Sequence, residues 1–504
     1  MTLDSFRIYW LAAACQSSST FTFSANSCAG GVLTFEQFAN DFRYGKSEAT
    51  RVSSIAVGIQ QAGALVGCFA IWPVTNRYGR KLAIMACSLI FCIGVVFETL
   101  NTHSISAFYL GRVICGLGIG GSSTVAPIYV AESSPKDIRG RLGSCYQFSF
   151  TIGILASYWI DYGVKYMTPS AIQWQIPIGL QIVPGALMGL GVLTLEESVR
   201  WLVANGRYDE AWRSLVWLRA SNSEAVETEL IEMKQGAEEE QRIMAGFSLK
   251  ELLEWHNAHR LLIGFGFFMA QQSTGSTALA YFGPQFFSLL TGPGDQDLLL
   301  TGFFGAIKVI SCGIFVFFIS DRFGRRPVLM VGAALMCVCM LIISGVVKTH
   351  QPPGDGHITP AGVLTVSLIY LDIIIYNLSW GPLPWPCTSE IFPTRIREPG
   401  VALGVGSQWL FNFVWSFSTP YIMSGLGWAT FLLFGIFDIF IFAFVYFCVK
   451  ETARKTLEEI NAMFEPAVYH AIPSGANKPG EEPEEDEPLL FPKSPGDPQP
   501  DEEQ

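Results

Sequence analysis

About a dozen apolar segments of membrane-spanning length run through this chain, and charged loops of nearly the same spelling stand between them, once in each half. The segments lie at roughly 8–33, 52–73, 82–101, 107–131, 142–163, 173–195, 261–290, 298–320, 327–347, 361–388, 400–424 and 428–449, each near the ~20 residues a helix needs to cross the hydrocarbon. After the second segment comes Asn76-Arg77-Tyr78-Gly79-Arg80-Lys81, and after the eighth Asp321-Arg322-Phe323-Gly324-Arg325-Arg326. In each loop the glycine is expected to allow a tight turn between spans. A second motif repeats in the same order: Glu132-x-x-Pro135 with Arg139-Gly140-Arg141, then Glu390-x-x-Pro393 with Arg395, Arg397 and Gly400. The offsets are 245 (321 − 76) and 258 (390 − 132). Two motifs, each found twice, imply an internal duplication of the kind on which membrane transporters are built. The expected fold is an all-α membrane protein of twelve transmembrane helices in two pseudo-symmetric six-helix bundles.

Composition agrees with lipid. Of 504 residues 50% are hydrophobic and only 15% charged, against roughly 25% charged in soluble domains. The first apolar segment runs too long for a cleaved signal peptide and lacks a small-residue cleavage site, so it reads as a span. The motif loops carry eleven Lys and Arg (residues 77, 80, 81, 136, 139, 141, 322, 325, 326, 395 and 397); the opposite loops carry five, Arg43, Lys46, Arg51, Lys165 and Lys348. That bias predicts motif loops and both termini in the cytoplasm. Length and tail suit a multi-pass protein of the plasma membrane.

The expected domains are an N-terminal bundle (1–195), a cytoplasmic linker with short amphipathic helices (196–260), a C-terminal bundle (261–450) and an acidic, disordered cytoplasmic tail (451–504). In the linker, 207–220 sets Trp212, Leu215, Val216 and Leu218 on one stripe, and Ser248-x-x-Glu251 reads as a capping box. The net charge of −11 comes mostly from residues 465–504, eleven acids against two lysines, a composition that cannot bury a core. Within it Glu485-x-x-x-Leu489-Leu490 offers sorting machinery a dileucine signal or is a chance match. No basic stripe suggests nucleic acid. The twelve cysteines are scattered, with neither a disulfide framework nor a metal spacing. No nucleophile–base set is visible, so neither an enzyme nor a cofactor is expected. Gly116-x-Gly118-x-x-Gly121 matches a dinucleotide fingerprint in form, but inside an apolar span with no preceding strand it predicts close helix packing.

Polar groups inside the spans point to a site, because amides are costly against lipid and suit hydroxyl-rich ligands. They are Gln147, Gln271, Gln272, Thr277, Gln408 and Asn412. Lys308 is a cation some ten residues into an apolar span, where charge costs at least ~2.5 kcal/mol. Two readings stand: it meets a substrate carboxylate, or it forms a structural ion pair with Asp372 or Asp438. The charged loops read as a gate latching the two halves on the inner side: Arg77, Arg80 and Arg139 pairing with Glu132 and Glu197, and Arg322, Arg325, Arg326 and Arg397 pairing with Glu390. Gly79, Gly324, Asp321 and Arg395 complete that set.

These motifs resemble the sugar-transporter branch of the major facilitator superfamily over roughly residues 50–460. The resemblance rests on Gly111-Arg112, Pro127-x-Tyr129-x-x-Glu132, Glu197-Ser198-Val199-Arg200-Trp201-Leu202, Gln271-Gln272-x-x-Gly275, Gly381-Pro382-x-x-Trp385 and Glu451-Thr452-x-x-Lys455. Ile307-Lys308-Val309 and Gln408-Trp409-Leu410-Phe411-Asn412-Phe413 are similar to the fungal quinate-permease-like group. The resemblance implies alternating access with a sugar or sugar acid bound centrally at Gln147, Gln271, Gln272, Thr277 and Trp385. Thr277 stands where the family usually has Asn, and Phe282 where a second Tyr is usual, which weakens the case for a plain hexose. Proton-coupled members carry a span-1 Asp facing the span-4 Arg; here Ala25 stands there, so Arg112 is expected to lack its partner. The chain is then a facilitator, or its proton site has moved, with Asp372 the candidate. A non-transporting nutrient receptor of the same fold is the alternative function.

Overall fold

Long apolar runs must satisfy their backbone internally in lipid, and a helix does this within one segment. In the computed structural model residues 7–17, 30–100, 102–134, 139–244, 248–291, 296–319, 323–350, 359–452 and 457–464 are described, and no strand forms among them. Eight helices are long and apolar enough to cross a membrane: α2 (Ala49–Tyr78), α3 (Arg80–Thr99), α4 (Ile105–Ser133), α6 (Ile172–Leu193), α8 (Asp297–Ile319), α9 (Arg325–Thr349), α10 (Pro360–Asn377) and α12 (Ala429–Cys448). Four further segments complete the twelve. α1 covers residues 7–17, with helix again at 30–32; α5 is Arg139–Lys165, α7 is Trp255–Ser273 and α11 is Thr394–Leu426. These four are less uniformly apolar, and three of them hold the in-span amides at Gln147, Gln271, Gln272, Gln408 and Asn412.

α7 breaks at Gly275 (φ +85), and the chain continues as Ser276–Tyr281 and Gly283–Thr291. α10 likewise unwinds over 378–383 before Pro384–Glu390 resumes it. The glycine-rich α4 packs as expected of a membrane helix: a Cβ on Gly116 would lie 2.2 Å from the Gln60 carbonyl of α2, and one on Gly120 would lie 1.9 Å from that of Ala64. Only residues without side chains permit that approach.

The halves meet where α2 packs on α11 and α5 on α8. Val405 and Trp409 of α11 join the core formed by α1, α3, α4 and α6, while Val57, Ile154 and Tyr158 join that of the C-terminal half. Apolar side chains such as Leu82, Leu89, Phe317, Phe318, Ile439 and Phe440 stay exposed, as a lipid-facing belt requires. On one face lie the linker helices Val199–Ala204, Tyr208–Arg219 and Glu224–Met244. The capping box at Ser248 and Glu251 is present, but it opens a 3-10 turn, Leu249–Leu253, before α7. The tail from 465 and its dileucine lie outside the described residues.

Candidate functional site

The linker face carries the repeated motifs, and the repeat extends further than the loops. In the N-terminal half Arg80 grips Glu132 through two nitrogens, Nη2 to Oε1 at 2.7 Å and Nε to Oε2 at 3.0 Å. Ser198 donates to the same carboxylate. Glu197 accepts the backbone N–H groups of Arg80 at 2.9 Å and Lys81 at 3.1 Å, so it caps the start of α3 with negative charge. Burial pushes the Glu197 carboxyl up, while the backbone amides of Ser198, Lys81 and Arg80 pull it back. In the C-terminal half Glu451 accepts the N–H groups of Arg325 at 2.9 Å and Arg326 at 3.0 Å, Thr452 donates to Glu390 at 2.7 Å, and Arg325 reaches Glu390 at 3.6 Å.

Arg80 with Glu132 and Arg325 with Glu390 are expected pairings that form; the expected latch between the halves is corrected. Arg80–Glu132 and Arg325–Glu390 each lie within one half, so these charges fasten each bundle to itself and do not bridge the bundles. Arg77 is exposed and stacks on Tyr78 at 5.4 Å. Arg326 donates to the Tyr446 carbonyl at 2.6 Å, and Arg397 to that of Phe392 at 3.3 Å. Arg395 pairs with Glu251 of the linker at 2.7 Å. Asp321 and Arg322, and the side chain of Arg139, fall outside the described residues. Gly79 does adopt a left-handed backbone (φ +96), but Gly324 has φ −63. Space is the second glycine's reason: a Cβ there would lie 2.6 Å from Glu451 Oε2.

Within the membrane Gln271, Gln272 and Thr277 of the expected set meet at the α7 and α10 breaks. Gln271 Nε2 donates to the carbonyls of Trp380 at 3.0 Å and Gly381 at 2.8 Å, which the unwinding of α10 leaves free. Its Oε1 has no partner. Thr277 donates to Gln272 Oε1 at 2.5 Å. Trp385 packs edge-on against Phe268 at 5.0 Å and Tyr146 at 6.0 Å, beside the buried Gln147. On α11, Gln408 Oε1 and both side-chain atoms of Asn412 are buried without partners. Sequence reasoning missed Gln60 and Gln61 of α2 and Gln181 of α6, whose side-chain amides are likewise buried and unpartnered. The same rule about amides in spans flags them. Buried amides without a protein partner are ordinarily met by water or a polar ligand.

Lys308 of α8 is 2% exposed. Its ammonium lies 5.8 Å from the Phe150 ring, 5.7 Å from Phe304 and 5.6 Å from Tyr376. No ion pair with Asp372 or Asp438 forms, which removes the structural pair expected as one alternative. Each ring face offers about 0.5–2 kcal/mol, and three together match a burial cost of ~2.5–3.5 kcal/mol. The aromatic cage therefore suffices to hold the cation, and its N–H donors remain open to an anion.

Arg112 is not without a partner, contrary to expectation. Its Nη1 lies 3.6 Å from Glu98 Oε2 of α3, both side chains almost fully buried, and its Nε donates to the Ala56 carbonyl at 3.0 Å. Ala25 lies outside the described residues. The face opposite the linker is closed between the halves: Tyr158 donates to the Ala280 carbonyl at 2.5 Å, Gln285 to that of Gly30 at 3.2 Å, and Ser54 to that of Phe417.

Two six-helix bundles around a polar, partly unsatisfied interior define an integral membrane transporter. Residues 13–464 match the family described as Sugar (and other) transporter, and the chain belongs to that family, which is one of transporters and not of enzymes. It is 32% identical over 479 residues to the quinate permease of Emericella nidulans, covering 92% of this chain and 90% of that protein. It is 33% identical over 474 residues to a probable quinate permease of Aspergillus flavus, covering 91% and 88%. Its fold is similar to the inward-open xylose transporter XylE from E. coli, with a TM-score of 0.74 at 23% identity over 92% of this chain and 100% of that one. The complex of the MFS proton:xylose symporter XylE with 6-bromo-6-deoxy-D-glucose gives the same score and coverage.

Proposed function

We propose that the protein carries a polyhydroxylated carboxylic acid of the quinate type, with monosaccharides as the second class, by alternating access of the two bundles around the amide-lined interior. The observation that carries this reading is Lys308, a buried ammonium held by aromatic rings and without an ion pair, on a helix packed against that of Gln147. A carboxylate arriving in this low-dielectric site supplies the missing charge. Gln147, Gln271, Gln272, Thr277, Gln408 and Asn412 hydrogen-bond its hydroxyls, and Trp385 covers an apolar face. Quinate permeases among the relatives support the substrate class.

The gate works differently from a bridge between halves. Arg80, Glu132, Glu197 and Gly79 stiffen one bundle at its linker end; Arg325, Arg326, Glu390, Gly324 and Arg397 do so in the other. Each bundle then rocks as a rigid body, with Arg395 tying α11 to the linker through Glu251. We place the linker face and both termini in the cytoplasm, from the excess of Lys and Arg there, and the protein in the plasma membrane. The bundles are residues 1–195 and 261–450, with linker 196–260 and tail 451–504.

The test is uptake of labelled quinate and glucose in cells lacking their own carriers, for the wild type and Lys308→Ala at matched surface amounts. Quinate uptake that Lys308→Ala abolishes, with glucose uptake spared, is expected. Equal quinate uptake by the variant overturns the carboxylate reading.

A further inference from the structure

The C-terminal half holds two acids that the amide site does not use. Asp372 of α10 and Asp438 of α12 are each 0% exposed. All four of their carboxyl oxygens lack a hydrogen-bond partner. They interact electrostatically with each other. From α9, which packs against both helices, the Cys339 thiol interacts electrostatically with both carboxyls and that of Cys337 with Asp438. Cys339 is itself 4% exposed. On α8, Lys308 turns to Tyr376 and forms no ion pair with either acid, and Cys312 also faces Tyr376.

Depth and charge limit what such a pair can be. Asp438 stands nine residues into a helix that begins at Ala429, about 14 Å along its axis and near the midplane of a ~30 Å core. Two ionised carboxylates there would repel in a medium that solvates neither. A carboxyl pair that binds protons relieves both penalties, and its protons come and go as one coupled system. The pair also has a mechanical link to the amide site: Asp372 lies one helical turn from Tyr376, whose ring packs on Lys308, on the continuous part of α10 just before it unwinds at 378–383.

We propose that Asp372 and Asp438 form a proton-binding site, and that loss and rebinding of a proton there, felt through α10 at Tyr376 and Lys308, couples substrate movement to the proton gradient. The coupling part rests on the transport reading above; the proton-binding part does not.

Two measurements on the full-length purified protein separate them. The first is infrared spectroscopy of the carboxyl C=O stretch stepped from about pH 5 to about pH 9, across the range into which buried carboxyls move. A titrating band that Asp372→Asn and Asp438→Asn each remove or shift is expected. No titrating band in the wild type, or one unchanged in both variants, overturns proton binding whatever the transport result. The second is quinate and glucose movement in proteoliposomes, as accumulation driven by a pH gradient and as counterflow without one. The variants should lose driven accumulation by at least about tenfold and keep counterflow within about twofold, and that retained counterflow also shows that they fold. Driven accumulation that survives in the variants, or wild-type counterflow with no response to the gradient, overturns the coupling. A titrating pair in a protein that moves neither probe overturns the transport reading and leaves the proton site standing.

Discussion

At the linker face the two halves repeat each other almost atom for atom; within the membrane they part company. Glu197 and Ser198 of one half do what Glu451 and Thr452 do in the other: the acid caps two backbone amides and the neighbouring hydroxyl braces the second acid. Inside, the N-terminal half sets one buried acid against a buried cation, Glu98 with Arg112. The C-terminal half sets two acids against each other and leaves its cation among aromatic rings. Local rigidity is needed equally in both bundles, whereas intramembrane charge is costly and persists where it works. Duplication preserved the first and divergence acted on the second.

The contrast inside the membrane gives the largest expected effect. Arg112→Leu strands Glu98 in the core and should cost about 3–5 kcal/mol, read as a collapse of monodisperse protein in detergent, with Arg112→Leu/Glu98→Leu recovering part of it. Asp372→Asn removes no partner and should leave the monodisperse yield close to wild type; equal losses in the two cases would erase the distinction. Next comes the paired gate. Arg80→Ala breaks a two-pronged, mostly buried contact, where charged hydrogen bonds are worth about 1.5–3 kcal/mol. Arg325→Ala breaks a longer contact, at 3.6 Å, so thermal melting should fall further for the first. The glycines test the same repeat more finely. Gly79→Ala meets both a left-handed backbone and the Glu197 carboxylate at 2.2 Å, whereas Gly324→Ala meets only crowding. A melting loss of about 1–2 kcal/mol is expected at Gly79 and a smaller one at Gly324, and the reverse order would contradict the geometry.

The smallest effect concerns the linker. The Arg395 guanidinium beside Glu251 holds that carboxyl below the usual range. A lowered carboxyl contributes stability above its ordinary value, roughly pH 4.3, and loses it as pH falls through the lowered one. Hydrogen-exchange protection at residues 248–254, taken relative to the intrinsic rate at each pH, should therefore hold at neutral pH and fall only in acid. Arg395→Gln should remove the pH dependence.

Much of this was legible in the chain. Apolar segment length set the number of helices because lipid leaves the backbone no other partner. The motif repeat announced two halves, and the in-span amides marked the interior before any contact was known. Other readings failed for a common reason. Arg112 was expected to lack a partner, which Glu98 supplies, and Glu451 looked like part of a C-terminal motif, although its offset from Glu197 of 254 (451 − 197) lay in plain view. Pairing depends on which helix faces are turned together, and sequence spacing does not encode that across separate spans.

The sequence by itself determined a membrane protein, its twelve helices, its internal repeat and a family of transporters, because hydrophobic length and motif spelling are properties of single segments. Only the tertiary structure decided that the charged loops bind within each bundle, that Arg112 meets Glu98, that aromatic rings hold Lys308 without an ion pair, and that Asp372 faces Asp438. These depend on pairs of side chains on separate helices, which lie from 14 (112 − 98) to 158 (308 − 150) positions apart in the chain and which packing alone brings together.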